Sequence, residues 1–300
     1  MKIIVTGEQG FIGSHMAAFL VQKGHDVRFI TPQGKDLRNF EGLTDQLRGI
    51  DMVFHFAANM GGVGFFSEHN YQPFIDNAQI DMNIFTACQE AGVGRLFYAA
   101  SACIYPIDIQ ANENAIPSLK ETQIIPAHAD QMYGWEKLMM MLLAKHAPMD
   151  VRVGILNTVF GEGQTWIGDR VKFPPAITYK VLQAKKSGAS IPIWGNGNQT
   201  RTFLYIQDAV EKIYEIMMTP EYFGEVNVAS DEIVTIKQCA DWLCEIAGIT
   251  PDYQFDTTKP SGVLARGIDN TKFNEHYKYR SQFTTRQGFE NLYHWMEQQV

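Results

Sequence analysis

The chain has 300 residues, 45% of them hydrophobic and 12% aromatic, enough for one large or two modest domains with a sizeable core. A formal net charge of -8 argues against nucleic acid or an anionic membrane as partner, while a phosphorylated substrate held by a few local cations stays compatible with it. No stretch approaches the ~20 apolar residues of a membrane span, and the first six residues read as a strand rather than a signal peptide, so a cytoplasmic protein is expected. Cys88, Cys103, Cys239 and Cys244 lack metal-ligand spacing and are too few for a disulfide framework at this size; no metal site is expected.

In chain order, Lys2–Thr6 reads as a strand, Gly7-Glu8-Gln9-Gly10-Phe11-Ile12-Gly13 as a glycine-rich turn, and Ser14 to Lys23 as a helix closed by Gly24. Gly7, Gly10 and Gly13, with Phe11 and Ile12 between the last two, let the backbone pass close to a pyrophosphate while the helix amino end points free N–H groups at the anion. The next strand, Asp26 to Ile30, should end on the residue that selects the dinucleotide. An acid there would bind the adenosine ribose hydroxyls, but the chain offers Thr31, with Lys35 and Arg38 close behind, so NAD and NADP both stay open. Asp36-Leu37 follows at once.

Asp51 to Ala58 reads as a strand ending in Ala57 and Ala58, two small residues that permit close passage of a dinucleotide, and His55 within it reads as a satisfied core histidine. Asn59-Met60-Gly61-Gly62-Val63-Gly64 is a second glycine-rich loop, either a connector or a backbone surface laid against a substrate. A helix over residues 72 to 92 carries Asn77 and Asn83 among apolar positions. Leu96 to Ala100 is a short buried strand, and Ser101 and Cys103 follow its carboxyl end, where open α/β sheets place their ligands.

Tyr133 and Lys137 stand four apart on a helical stretch running to about Lys145, so both fall on one face. A lysine ammonium beside a phenol favours the phenolate and should draw the tyrosine down from its usual ~10 toward working pH. Such a tyrosine can exchange a proton with an alcohol. Val151 to Leu156 is a further strand that Asn157 leaves, and the loop from Glu162 to Pro175 feeds a helix beginning near Pro174, with Lys172 at the junction. Gln199 and Arg201 close a turn that starts at Trp194, and Arg266 lies in a loop from Ser261 to Asn270; two such arginines together suggest a phosphate site.

The expected fold is an α/β Rossmann-type doubly wound parallel sheet with a smaller, mixed α/β substrate-binding cap. Residues 1–160 form the nucleotide domain, to which 201–229 return, and residues 161–200 and 230–300 form the cap.

A glycine turn, a strand-end Ser101 and the Tyr133/Lys137 pair, in that order, resemble the extended, sugar-nucleotide-modifying branch of the short-chain dehydrogenase/reductase superfamily. That resemblance implies that Ser101 orients a substrate hydroxyl, Tyr133 is its acid/base and Lys137 holds the nicotinamide ribose, with Asp36-Leu37 against adenine. Four stretches sharpen it: Ala57 to Gly64, Ser101 to Pro106, Thr165-Trp166 through Lys172, and Trp194 to Arg201. Together they resemble the GDP-mannose 3,5-epimerase family over nearly the whole chain. Cys103-Ile104-Tyr105-Pro106 is shared with GDP-fucose synthases, whereas the Met60-Gly61-Gly62 and Thr165-Trp166 loops, and Lys172 where the synthases have a histidine, look like the epimerases.

By that resemblance Cys103 and Lys172 are the proton-transfer pair. Met60, Gly61, Gly62, Asn157, Gln199, Arg201 and Arg266 then contact a GDP-sugar, NAD is the bound cofactor, and the protein is a homodimer. Ala100 in place of a family serine and the short stretch from Thr31 to Lys35 are departures. The chemistry suits these residue types, because protons on sugar carbons 3 and 5 become acidic only once carbon 4 is a ketone, and inversion needs one proton-transfer group on each face of the ring. Two other readings are carried: a GDP-4-keto-6-deoxymannose epimerase-reductase using NADPH, and a dinucleotide-binding sensor without turnover.

Overall fold

A computed structural model describes residues 1–30, 36–114 and 116–300; Thr31 and Lys35 lie outside the described residues. The first half alternates strand and helix: β1 (Lys2–Thr6), α1 (Phe11–Gln22), β2 (Asp26–Arg28), α2 (Leu43–Leu47), β3 (Met52–His55), α3 (Val63–Glu68), α4 (Tyr71–Ala91), β4 (Arg95–Ser101), β5 (Ser118–Leu119) and α5 (Gln131–Ala144). The second half continues with β6 (Asp150–Leu156), β7 (Thr158–Phe160), α6 (Phe173–Ser187), β8 (Ile191–Trp194), β9 (Thr200–Tyr205), α7 (Ile206–Met218), β10 (Val226–Val228), β11 (Ile233–Thr235), α8 (Ile236–Ala247), β12 (Tyr253–Asp256), β13 (Gly267–Ile268), α9 (Thr271–His276) and α10 (Thr285–Glu297).

Six strands form one parallel sheet in the order β10-β6-β4-β3-β1-β2. Its strands are near-continuous apolar runs because both faces are covered, and successive side chains are dealt alternately to two cores. Ile3, Val5, Phe54 and Phe97 pack with Met16 and Leu20 of α1 and Ile213 of α7. Ile4, Val53, Leu96 and Tyr98 pack on the other face with Leu47 of α2, Ile84 of α4 and Leu138 of α5. This is the doubly wound Rossmann-type architecture expected from the sequence.

The chain leaves β1 toward β2 on one side and reaches β3 on the other, so the order reverses between β1 and β3. A crevice opens at such a switch point, beyond the carboxyl ends of the strands. Gly7 (φ +70°) turns the chain there, and a side chain on Gly13 would place Cβ 2.1 Å from the Gly7 carbonyl oxygen, so α1 can rest on the turn only with glycine at that position. The helix starts at Phe11 rather than Ser14, and β3 stops at His55, leaving Phe56 to Gly62 as an extended rim.

Beyond the large sheet stand a three-stranded sheet β11-β9-β7 and two pairs, β12-β8 and β13-β5. The strands β7 and β9 join the small sheet, whereas α7 packs on β6 and β10 lies in the large sheet. Helices α6, α8 and α10 pack together around Phe160, Phe203 and Phe289, so the large sheet's first core continues into this mixed α/β layer. The exit of the Asn59–Gly64 stretch folds as the short helix α3, which sequence periodicity does not mark.

Candidate active site

The site is built where α5 presses on the end of β4. After Ser101 the chain makes one 3-10 turn, Ala102–Ile104, whose Cys103 N–H donates to Ser101 Oγ at 3.2 Å. The Cys103 carbonyl accepts the Asp130 N–H at 2.8 Å, just ahead of α5. A Cβ on Gly134 would lie 2.3 Å from that same carbonyl oxygen, so glycine is what lets the helix come this close. Tyr133 is thereby brought to the Ser101 corner, and its ring stacks on Phe66 of α3 at 4.7 Å beside Met60 and Cys103.

Lys137, one turn further along α5, is buried with its charge already engaged. Its Nζ donates to Asp81 Oδ2 at 3.0 Å and lies 3.5 Å from Glu136 Oε2. The other Asp81 oxygen meets His55 Nε2 at 2.9 Å, and Tyr98 Oη donates to Oδ2 at 2.9 Å. His55 Nδ1 lies 2.6 Å from Thr6 Oγ1, which accepts the Phe56 and Ala57 N–H groups, both at 3.2 Å. With those two bonds accepted, the Thr6 hydroxyl donates to Nδ1, and the proton of His55 sits on Nε2 facing Asp81. His55 is the satisfied core histidine read from the sequence, and it is also a link in a chain that runs from Thr6 to Lys137.

These contacts reverse one expectation. Burial pushes the Tyr133 phenol well above its usual value, and the opposing pull of Lys137 does not overcome it. Two carboxyl groups already share that ammonium, and the sequence showed only the lysine four residues on. Burial would raise Asp81, yet Lys137 and His55 hold it well below the carboxylate range; burial raises Glu136, which Lys137 only partly offsets and Asp81 reinforces. Burial would lower Lys137, but Asp81 and Glu136 hold it above its usual value.

Cations gather around Cys103 from three segments. Arg266 Nη1 lies 3.6 Å from Cys103 Sγ, Nη2 pairs with Asp130 at 3.1 Å, and Nε donates to Gln110 Oε1 at 2.5 Å. Lys172 caps the amino end of α6, where Pro174 and Pro175 open the helix. Its backbone rests on the second glycine loop, since a Cβ on Gly62 would stand 2.3 Å from the Val171 carbonyl oxygen. Burial lowers the Lys172 ammonium, and Cys103 opposes that shift. Arg201 donates to the carbonyls of Thr200, Ser261 and Val263, and burial followed by repulsion from Arg266 brings its guanidinium down to about 9. A buried Arg266 and a part-buried Arg201, with Asp130 as their one carboxylate, have the chemistry to hold an anion.

Gln199 is 3% exposed and its Oε1 is a buried acceptor with no hydrogen-bond partner among the described residues. Asn157 differs: its amide donates to Thr202 oxygens on β9, which ties β6 to the small sheet. Gly61 lies against the Phe65 ring, and Met60 adds its carbonyl to the rim.

At the β1/β3 switch point lies a pocket of about 500 Å³, lined by the Gly7–Gly10 turn, Asp36, Leu37, Arg38, Ala57, Ala58 and Asn59, together with Asp76 and Arg170. Phe11, Ile12 and Gly13 form the first helical turn behind it. Asn83 Nδ2 holds the Leu37 and Arg38 carbonyls at 2.8 and 2.9 Å, and Asn77 Oδ1 accepts the Asn59 N–H at 2.6 Å, so both asparagines brace this rim. The residues present fit a dinucleotide: a glycine turn at a helix amino end, small residues opposite, and an acid at the far end. Among the described residues no group of three or more His, Cys, Asp and Glu could hold a metal ion, and no helix is long and apolar enough to cross a membrane.

The profile of the NAD dependent epimerase/dehydratase family matches residues 3–229. The chain belongs to that family. It is 34% identical to GDP-mannose 3,5-epimerase 1 of Oryza sativa subsp. japonica, over all of this chain and 82% of the relative. GDP-L-fucose synthase 1 of Arabidopsis thaliana is 25% identical over 98% of this chain and 92% of its own length. The fold superposes on the UDP-glucose 4-epimerase of Thermus thermophilus, solved with NAD, at a TM-score of 0.84 and 22% identity, covering all of both chains. Family membership makes the protein an NAD(P)-dependent enzyme of nucleotide-sugar metabolism. Asp81, Glu136, Asp130 and Arg170 are site residues that the sequence reading missed. The signals were there: Asp76, Asn77 and Asp81 break the apolar face of the α4 stretch, Glu136 adjoins Lys137, and Arg170 stands two before Lys172.

Proposed function

We propose that this family member is a nucleotide-sugar epimerase that inverts carbon 3, carbon 5 or both in GDP-mannose through a transient 4-keto sugar, with NAD retained as internal hydride carrier. The observation that carries the reading is that Cys103, at the end of β4, packs beside Tyr133 and Met60, while Lys172, at the cap of α6, follows the Val171 backbone that rests on Gly62 of the same glycine loop. The identity to rice GDP-mannose 3,5-epimerase 1 supports the substrate, and the Arg201/Arg266 corner suits its diphosphate.

NAD held at the Gly7–Gly13 turn would supply a reversible hydride acceptor for carbon 4. Ser101 holds the carbon-4 hydroxyl and Tyr133 takes its proton; a buried phenol of high pKa is a strong base once ionised, and Lys137 is the cation that steadies the phenolate. With the ketone in place, one of Cys103 and Lys172 removes the proton from the neighbouring carbon and the other returns one to the opposite face. Glycine loop and cap sequester these steps from water.

NAD is favoured over NADP because the Arg38 guanidinium is held by Asp36 at 2.8 Å and Asp76 at 3.1 Å, leaving it unavailable to a 2′-phosphate. The exposed apolar side chains of Met132, Trp135, Met139 and Leu143 on α5, with Tyr71, Ile75 and Met82 on the adjoining α4, support a homodimer through these helices. A solution mass of one chain would contradict it. Free cysteines throughout fit a cytoplasmic setting.

The test is product analysis: GDP-mannose incubated with the protein and no added oxidant or reductant should yield epimeric GDP-hexoses without net change in reduced nicotinamide. Steady oxidation of NADPH with a 4-keto-6-deoxy sugar nucleotide would favour the reductase represented among the relatives by GDP-L-fucose synthases.

A further inference from the structure

Arg170 leaves the loop before α6 and lines the dinucleotide pocket. Its Nη1 donates to Asn59 Oδ1 and to the Met60 carbonyl, both at 2.7 Å, and its guanidinium lies 4.1 Å from the centre of the Phe65 ring. Asn59 Nδ2 donates to Asp76 Oδ2 at 2.8 Å, and Asp76 and Asp36 both pair with Arg38. A polar chain thus runs along one rim of the pocket, from the cap loop to the adenosine end. All five residues line that pocket.

The two arginines that line the pocket differ. Arg38 is neutralised by two carboxylates, whereas Arg170 has no carboxylate in ion-pair range among the described residues, and its Nε and Nη2 donate to none of them. An uncompensated guanidinium is therefore presented at a pocket whose glycine turn suits a pyrophosphate. The segment that carries it is also seated: Val171 lies against Gly62, and Lys172 follows.

We propose that Arg170 is a cofactor latch: it closes the cap loop over the bound dinucleotide, lends a cation to its phosphates and slows its release. The inference rests on the reading that this pocket holds a dinucleotide. Because the same segment ends in Lys172, closing the latch also brings that residue to the substrate side, so cofactor occupancy and assembly of the site are linked.

The test is the release of radiolabelled NAD from preloaded protein into excess unlabelled NAD. Arg170 is exposed, so its replacement should leave the fold intact. Loss of two charged hydrogen bonds and a phosphate contact should speed release by about tenfold or more in Arg170→Ala, with Arg170→Lys in between. Release from Arg170→Ala at the parent rate would overturn the latch. A parent protein that retains no dinucleotide would instead overturn the reading of the pocket, and the latch with it.

Discussion

Asp81 Oδ2 lies 3.0 Å from Lys137 Nζ, and the other oxygen of the same carboxylate meets His55 Nε2 at 2.9 Å. A lysine with 3% exposure cannot keep its charge without such a partner. Asp81 therefore decides whether Lys137 is the ammonium that the tyrosine chemistry needs. The chain continues through His55 and Thr6 to the Phe56 and Ala57 amides, on the floor of the dinucleotide pocket. Strand ends and catalytic helix are thereby held in one register.

Replacing Asp81 leaves a buried ammonium facing a neutral group. Asp81→Asn should lose about 3–5 kcal/mol of stability, the usual cost of removing one partner of a buried ion pair. Urea unfolding checks it. A loss under about 1 kcal/mol would mean that Glu136 alone supplies the counter-charge.

Glu136 gives a pH dependence whose sign is fixed. Its folded pKa is raised, so between the ordinary carboxylate range and that raised value the folded chain binds a proton that the unfolded chain has released. Stability should fall as pH rises through this window. Asp81, with a lowered folded pKa, acts oppositely: its contribution is present above the ordinary carboxylate range and is lost as pH falls below it. Glu136→Gln, which mimics the protonated acid, should flatten the decline in melting temperature from about pH 5 to about pH 8. An unchanged slope in this variant would show that Glu136 is ionised in the fold.

Tyr133→Phe keeps the ring on Phe66 and removes the proton acceptor. Turnover should drop by about 10²–10⁴, with dinucleotide and GDP binding retained. Normal turnover would reduce Tyr133 and Lys137 to a helix pair. Rapid-mixing absorbance of the reduced nicotinamide reads the step directly.

Much of this was legible in local pattern. Gly7 to Gly13 between a strand and a helix, alternating apolar strands, and Ser101 ahead of Tyr133 and Lys137 carry both the architecture and the redox corner. Contacts remote in sequence were not legible. Arg266 reaches Cys103 across 163 positions, and His55 meets Asp81 across 26, so nothing near Lys137 announces that its charge is shared. The raised pKa of Tyr133 follows from that: spacing identifies the lysine, while burial and competing carboxylates depend on the whole fold. Asn157 shows the same limit, since its amide turns to Thr202 on a strand that only tertiary pairing brings near.

In the proposed mechanism, inversion and hydride transfer use different residues. Cys103→Ala and Lys172→Ala should still let Tyr133 and the cofactor form the 4-keto sugar, and neither should invert it. Without Cys103 the carbon-bound proton should hardly exchange; without Lys172 the thiol can remove a proton and return it to the same face, giving exchange without inversion. The direct measurement is deuterium incorporation at carbons 3 and 5 of GDP-mannose incubated with parent and variants in deuterated water, read by NMR. The parent should show inversion with deuterium, Cys103→Ala almost no deuterium, and Lys172→Ala deuterium without inversion. A parent that leaves both positions undeuterated, or two variants that epimerise as fast as the parent, would contradict that mechanism.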